Sequence, residues 1–168
     1  MTSPDSSAVA LATAFRDAGL TLATGESVTA GLLAATVAEV PGASAVLRGA
    51  VVAYHADVKQ ALLDVPASAL AQGVVSRAVA EAMAAGAAAR VGATVGIGTT
   101  GVAGPEPHDG EPVGSVWIAA CGPGWQVAEH LRLAGDRDEV RRQTVQACLA
   151  MVRGQVLGHP DGVSPSAE

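Results

Sequence analysis

The hydrophobic positions of the chain alternate between helical spacing and short extended runs. The pattern predicts helices over 8–18, 30–39, 55–63, 77–91 and 138–153, and strands over 20–24, 48–54, 93–98, 113–120 and 125–133. Ser6 and Ser7 are expected to cap the first helix and Ser76 the fourth, because a serine oxygen accepts hydrogen bonds from the open amides of a helix start. Strands alternate with helices before a hairpin follows, which indicates an α/β domain with a mixed β-sheet.

One domain accounts for the whole pattern. We find neither an internal repeat nor a linker, and we place the domain at 8–153, between an N-terminal extension at 1–7 and a tail at 154–168. The tail loses periodicity and gains Gly, Pro and Ser, so we expect it to be flexible. Ligands of such folds bind where strands turn into loops and helix starts, and three segments meet that condition: 25–31, 54–59 and 99–105.

Composition narrows the classes of function. The 168 residues are 49% hydrophobic and 15% charged, which is typical of a folded domain. No stretch approaches the roughly 20 apolar residues of a membrane span, and the N-terminus lacks the blocks of a signal peptide, so a cytoplasmic protein is expected. A net charge of -6 and 2% aromatic residues argue against nucleic-acid binding. Cys121, Cys148 and the histidines lack metal-ligand spacing, so we expect no metal.

The first candidate for chemistry is the segment G-E-S-V-T-A-G, residues 25–31. A hydroxyl at a strand-to-helix junction lies near free amides, which favour an anion or a developing oxyanion. Ser27 is therefore a candidate nucleophile. The alternative is that Ser27 or Thr29 only caps the helix, since both residue types are preferred there.

The second candidate is Y-H-A-D-V-K, which holds the single tyrosine, Tyr54, and the single lysine, Lys59. A lysine can act as the base for a serine once its proton is lost, and an ordinary lysine pKa near ~10.4 must be lowered for that. Tyr54 could relay a proton or bind a substrate. The alternative is a solvated lysine on a helix and a tyrosine packed at a strand end.

Two further segments offer groups that bind anions or amides. Residues 96–105, G-I-G-T-T-G-V-A-G-P, form a Gly-rich loop with the hydroxyls of Thr99 and Thr100, but Gly104 and Pro105 exclude the helix that a dinucleotide fingerprint needs. The alternative there is a tight turn between strands. Arg137 and Arg141 share a helical face and could grip a phosphate, unless neighbouring acids pair with them.

An ordered set of motifs runs through these segments: E-S-V-T-A-G-L-L from Glu26, V-P-G-A-S from Val40, G-A-V-V-A-Y from Gly49 with Lys59 beyond it, T-G-V-A-G-P from Thr100, and G-D-R-D-E-V-R from Gly135. Together the motifs resemble the C-terminal domain family of the competence- and damage-inducible protein CinA. The resemblance covers about residues 8 to 153. It implies a three-layer α/β/α sandwich, often a homodimer, that needs no cofactor.

The resemblance implies that a carboxamide is hydrolysed: nicotinamide mononucleotide and water give nicotinate mononucleotide and ammonia. It implies that Ser27 is the nucleophile, Lys59 its base, and Tyr54 an aid to proton transfer. The turn amides and Thr100 would stabilise the oxyanion, and Arg141 would hold the phosphate. The substrate-binding residues that it implies are Glu26, Thr29, Gly31, Thr100, Gly101, Arg137 and Arg141.

Two departures from the family leave alternatives open. Ala30 stands where the family usually has glycine, and its methyl is expected to narrow the approach to the substrate. The loop 106–111 carries three acids, which would weaken phosphate binding if they pointed inward. The alternatives are a pyridine-nucleotide binding module without hydrolysis, and an amidase for another small carboxamide.

Overall fold

Five strands form one mixed sheet in the computed structural model, which describes residues 3–158. The strands are β1 (Leu22–Glu26), β2 (Leu47–Val52), β3 (Val95–Gly101), β4 (Ser115–Gly122) and β5 (Trp125–Arg132). Their order is β2-β1-β3-β4-β5; β1 is parallel to β2 and β3, and the hairpin β4–β5 adds two antiparallel strands beside β3. The predicted mixed sheet is confirmed.

Six α-helices flank the sheet in this part of the chain: α1 (Ser6–Asp17), α2 (Leu32–Ala38), α3 (Ala56–Leu63), α4 (Ala67–Leu70), α5 (Arg77–Val91) and α6 (Arg137–Gly158). Helices α1, α2 and α6 cover one face, and α3, α4 and α5 cover the other. The three-layer α/β/α sandwich is therefore confirmed. None of the described helices has the length and apolar character to cross a bilayer.

The two faces of the sheet are packed differently. Large side chains such as Phe15 and Leu149 fill the face under α1 and α6. On the opposite face, a Cβ at Gly96 would lie 2.0 Å from the Ala84 carbonyl, and a Cβ at Gly98 would lie 2.1 Å from the Ala80 carbonyl. The glycines of β3 therefore let the backbone of α5 rest directly on the sheet, which fixes the strand end where the candidate segments meet.

Several boundaries differ from the predicted ones. Asp5 caps α1, since its carboxylate accepts from the amides of Ser7 and Ala8, so the assignment of Ser6 and Ser7 as caps is wrong. The cap at Ser76 is confirmed. Helix α4 and a 3₁₀ turn over Ala43–Ala45 were not predicted.

The carboxyl ends of β3 and α6 also lie further along the chain than predicted. Residues 99–101, predicted to open a loop, are the last residues of β3 because they pair with β4. Helix α6 continues through 154–158, where a flexible tail was expected. The rest of that predicted tail, 159–168, lies outside the described residues.

Candidate active site

Ser27 lies at the carboxyl end of β1, directly after the last strand residue. Its amide donates a hydrogen bond to the Thr99 carbonyl over 3.0 Å, which holds the serine against the end of β3. The side chain is 8% exposed and lines a cavity. This is the edge of the sheet at which α/β folds bind ligands.

Glu26 caps helix α2 from the strand that precedes it. Its carboxylate accepts hydrogen bonds from the amides of Gly31, Leu33 and Ala34 at 2.8, 3.1 and 2.9 Å. The Thr24 hydroxyl donates to the same carboxylate at 2.8 Å, and the Glu26 side chain is fully buried. A carboxylate in this position satisfies the open amides of the helix and interacts favourably with its dipole.

The interpretation of Ser27 or Thr29 as the helix cap is therefore wrong. The Thr29 hydroxyl lies 2.9 Å from that of Thr99 in a buried pair, while the Ser27 hydroxyl lies beside Lys59. The expectation that the α2 amides bind an external anion is also corrected, because Glu26 already occupies them. Glu26 is not among the described residues that line the cavity, so it shapes the turn that contains Ser27 and does not touch a ligand there.

The turn before α2 contains two residues with a left-handed backbone. The φ angle is 50° at Ala30 and 93° at Gly31. Glycine adopts this conformation freely, whereas alanine pays about 1–2 kcal/mol in steric strain. Ala30 is exposed and is not among the described cavity-lining residues, so its methyl strains the backbone and does not narrow the approach to the cavity as expected.

Lys59 extends from α3 into the protein and is only 2% exposed. Its Nζ lies 2.9 Å from Ser27 Oγ, 3.0 Å from the Ala53 carbonyl oxygen and 3.0 Å from the Tyr54 carbonyl oxygen. No carboxylate of the described residues forms an ion pair with it. Burial lowers the pKa of the Lys59 amine from 10.5 to about 8. The interpretation of Lys59 as a solvated surface residue is wrong.

The three contacts of Lys59 define what the neutral amine can do. A neutral amine has two N–H donors and one lone pair. With both donors on the carbonyls of Ala53 and Tyr54, the lone pair is directed to Ser27 Oγ, which then donates its proton to Lys59. In this arrangement the neutral amine of Lys59 can accept the Ser27 proton, as the base of a serine nucleophile does.

Tyr54 and Arg137 meet at the mouth of the cavity. Arg137 Nη2 donates to the Tyr54 hydroxyl oxygen at 2.6 Å, and Arg137 Nη1 donates to the Gly104 carbonyl at 2.7 Å. The Tyr54 side chain is 49% exposed, so it is not packed at the strand end. Because its oxygen accepts from a guanidinium, its own O–H proton stays available to a ligand.

These groups surround a cavity of about 320 Å³, which suits a small-molecule ligand. Six residues singled out from the sequence line it: Ser27, Tyr54, Lys59, Thr100, Gly101 and Arg137. The Thr100 hydroxyl donates to the Val74 carbonyl at 2.7 Å, so its own proton is engaged.

Three other residues implied by the resemblance have structural contacts instead. Arg141 Nη2 donates to the Thr29 carbonyl at 2.9 Å, and none of Thr29, Gly31 and Arg141 is among the described residues that line the cavity. Of the two α6 arginines that the resemblance implies, Arg137 is therefore the one at the cavity. Neither arginine pairs with an acid of its own helix, whereas Arg142 does, with Asp138.

One part of the cavity wall had no clear signal in the sequence, whereas free amides after Ser27 were expected from it. Val74 and Val75, which precede α5, form part of the cavity wall, and only the tertiary fold brings them there. Within the described residues, the amides of Val28 and Thr29 donate to no protein group, although Val28 lines the cavity. An open amide directly after Ser27 is suited to stabilising an oxyanion that forms beside the Ser27 hydroxyl.

Sequence comparison identifies relatives over nearly the whole domain. Residues 5–156 match the model of the CinA C-terminal domain. A "CinA-like protein" of Frankia casuarinae is 47% identical over 142 residues, covering 84% of this chain and 33% of the relative. A "Putative competence-damage inducible protein" of Desulforamulus reducens is 47% identical over 143 residues, covering 84% of this chain and 35% of the relative. The chain thus spans about a third of the length of these curated relatives.

Solved structures share the fold. The competence damage-inducible protein A from Klebsiella pneumoniae superposes with a TM-score of 0.87 at 34% identity, covering 91% of this chain and 96% of that one. The competence/damage inducible protein CihA from Agrobacterium tumefaciens gives a TM-score of 0.84 at 35% identity, covering 90% of this chain and 97% of that one. The chain belongs to the CinA C-terminal domain family.

Proposed function

We propose that the protein hydrolyses the carboxamide of nicotinamide mononucleotide to nicotinate mononucleotide and ammonia. The observation that carries this proposal is the buried contact of 2.9 Å between Lys59 Nζ and Ser27 Oγ, with no acid paired to the lysine among the described residues. A buried lysine with a lowered pKa and a serine within hydrogen-bond distance form an acyl-transfer pair.

The first half of the reaction forms an acyl-enzyme. Lys59 Nζ takes the Ser27 proton while Ser27 Oγ attacks the carboxamide carbon, and the carbonyl oxygen becomes an oxyanion near the Val28 amide. The C–N bond then breaks, and the leaving nitrogen takes the proton from Lys59 and departs as ammonia. The Tyr54 hydroxyl, held by Arg137, donates a hydrogen bond to the leaving nitrogen and so assists this proton transfer.

The second half returns the enzyme to its starting state. A water molecule gives a proton to Lys59 Nζ and its oxygen attacks the ester carbon. The bond between that carbon and Ser27 Oγ breaks, Ser27 recovers the proton from Lys59, and the carboxylic acid is released. Arg137 takes the phosphate-binding role that the resemblance assigned to Arg141, because Arg137 lines the cavity.

The test of function is ammonia release from nicotinamide mononucleotide by the purified chain. Release above a protein-free blank supports the proposal. A thermal shift with the nucleotide but no ammonia indicates the binding module, and release from other amides only indicates a different amidase. The homodimer and the cytoplasmic location stay predictions; light scattering after size-exclusion chromatography measures the former.

A further inference from the structure

The loop that follows β3 carries three acids, and two of them bind protein groups. Asp109 Oδ2 accepts from the Val74 amide at 2.6 Å. Glu111 Oε2 accepts from the Ser115 hydroxyl at 2.7 Å. The remaining acid, Glu106, is the one of the three that lines the cavity. Its carboxylate forms no hydrogen bond or ion pair with the described residues. Two of the three acids are thus held by protein groups, and Glu106 is the one that lies at the cavity.

Glu106 lies close to the cation that would hold a phosphate. Gly104, whose carbonyl accepts from Arg137, precedes Glu106 by two residues, and two peptide steps span at most about 7.6 Å. Pro105 and Pro107 on either side restrict the backbone of Glu106. Arg137 already donates to the Tyr54 hydroxyl and the Gly104 carbonyl. Among the described Asp, Glu, Lys and Arg residues that line the cavity, only Glu106 has no protein partner for its charged group.

We propose that Glu106 is a specificity-determining residue. Its charge shifts the preference of the site from the phosphorylated nucleotide toward the riboside of the same carboxamide, which lacks the phosphate. The inference rests on the proposed function, because that function places the carboxamide at Ser27 and the phosphate-bearing end of the nucleotide at the mouth of the cavity. The two compounds share the pyridinium ring, so the attraction between that ring and Glu106 acts on both affinities and cancels in the ratio of the two affinities. The ratio therefore isolates the repulsion between Glu106 and the phosphate.

Coulomb's law sets the size of the effect. A carboxylate and a phosphate dianion about 8 Å apart in water repel each other enough to change affinity about fivefold at low ionic strength. In about 0.5 M salt the Debye length falls to roughly 4 Å, so the effect falls below about twofold. A steric role of Glu106 would not depend on salt in this way.

The experiment compares Glu106→Gln with Glu129→Gln, which removes the same charge from an exposed position on β5 outside the cavity lining. Binding of nicotinamide mononucleotide and of nicotinamide riboside is measured by calorimetry at low and high salt. The proteins compared are Ser27→Ala alone and Ser27→Ala combined with each of the two glutamate substitutions. Ammonia release is measured with Ser27 intact. Glu106→Gln is expected to raise the ratio of mononucleotide to riboside affinity about fivefold at low salt, and Glu129→Gln is expected to leave it unchanged.

Each outcome decides between the two proposals. A salt-dependent change of the binding ratio without ammonia release from either compound supports the role of Glu106 and refutes hydrolysis. Ammonia release with an unchanged ratio keeps the proposed function and overturns the role of Glu106. An equal change with Glu129→Gln, or a change that persists in high salt, also overturns it. Absence of binding and of release with both compounds overturns both proposals.

Discussion

The lowered pKa of Lys59 gives the sharpest consequence of the site. A lysine can act as a base only when its amine is neutral, and burial lowers the pKa of Lys59 from 10.5 to about 8. At pH 7 about one molecule in ten then has the neutral amine, against about one in three thousand for an unshifted lysine. Burial therefore raises the population of free base at pH 7 about 300-fold.

The perturbation is a change of pH, and the sign of the response follows from the pKa. As pH rises through the folded pKa, Lys59 loses its proton and the base becomes available. Between pH 7 and pH 9, kcat/KM is expected to rise about tenfold and then to level off, whereas an unshifted lysine would give a rise of about 100-fold without levelling. The phosphate of the substrate has its second pKa near ~6, so it does not titrate in this range.

The assay is the initial rate of ammonia release from nicotinamide mononucleotide at subsaturating concentration, which reports the free enzyme. Lys59→Met is the control, since it keeps an unbranched side chain but has no proton to exchange. Circular dichroism at each pH shows whether both proteins stay folded. A flat profile in the wild type, or the same rising limb in Lys59→Met, would refute Lys59 as the base.

The remaining expectations concern the serine turn and the mouth of the cavity. Glu26→Gln is expected to lower the free energy of unfolding by about 1–3 kcal/mol, measured by urea denaturation, because an amide NH₂ then faces helix amides that need an acceptor; unchanged stability would contradict the capping role. Ala30→Gly is expected to leave the free energy of unfolding unchanged or to raise it by up to about 1 kcal/mol, because it relieves the left-handed strain. Ala150→Gly, at an exposed position of α6, is expected to lower it by about 1 kcal/mol, and equal losses in the two variants would contradict the strain. Tyr54→Phe is expected to lower kcat about 100-fold if its hydroxyl, oriented by Arg137, assists proton transfer to the leaving nitrogen, and an unchanged kcat would remove that role.

The order of the elements could be predicted because their periodicity is strong. Apolar runs flanked by glycine and proline distinguish strands from helices without tertiary information. The exact caps could not be predicted where several good capping residues are adjacent, as at Asp5, Ser6 and Ser7. The cap of α2 had no local signal, because Glu26 reaches it from the end of a strand.

Most residues of the site could be predicted from the sequence, but their arrangement in space could not. Lys59 and Tyr54 were singled out as the one lysine and the one tyrosine of the chain. The buried position of Lys59, by contrast, depends on Ser27 at the end of β1, which lies 32 residues away in the chain. Arg137 and Arg141 lie one helical turn apart, so no spacing rule separates them. The packing of α6 beside the loop after β3 decides that Arg137 reaches the cavity.

The central claim is that Ser27 is the nucleophile of an amidase, and one comparison tests it most directly. Ammonia release from nicotinamide mononucleotide is measured for the wild type and for Ser27→Ala, with Thr29→Ala as the control for loss of a nearby hydroxyl outside the cavity lining. The account predicts release by the wild type, continued release by Thr29→Ala, and a loss of at least about 10³-fold in Ser27→Ala. Equal release by the wild type and Ser27→Ala would contradict it.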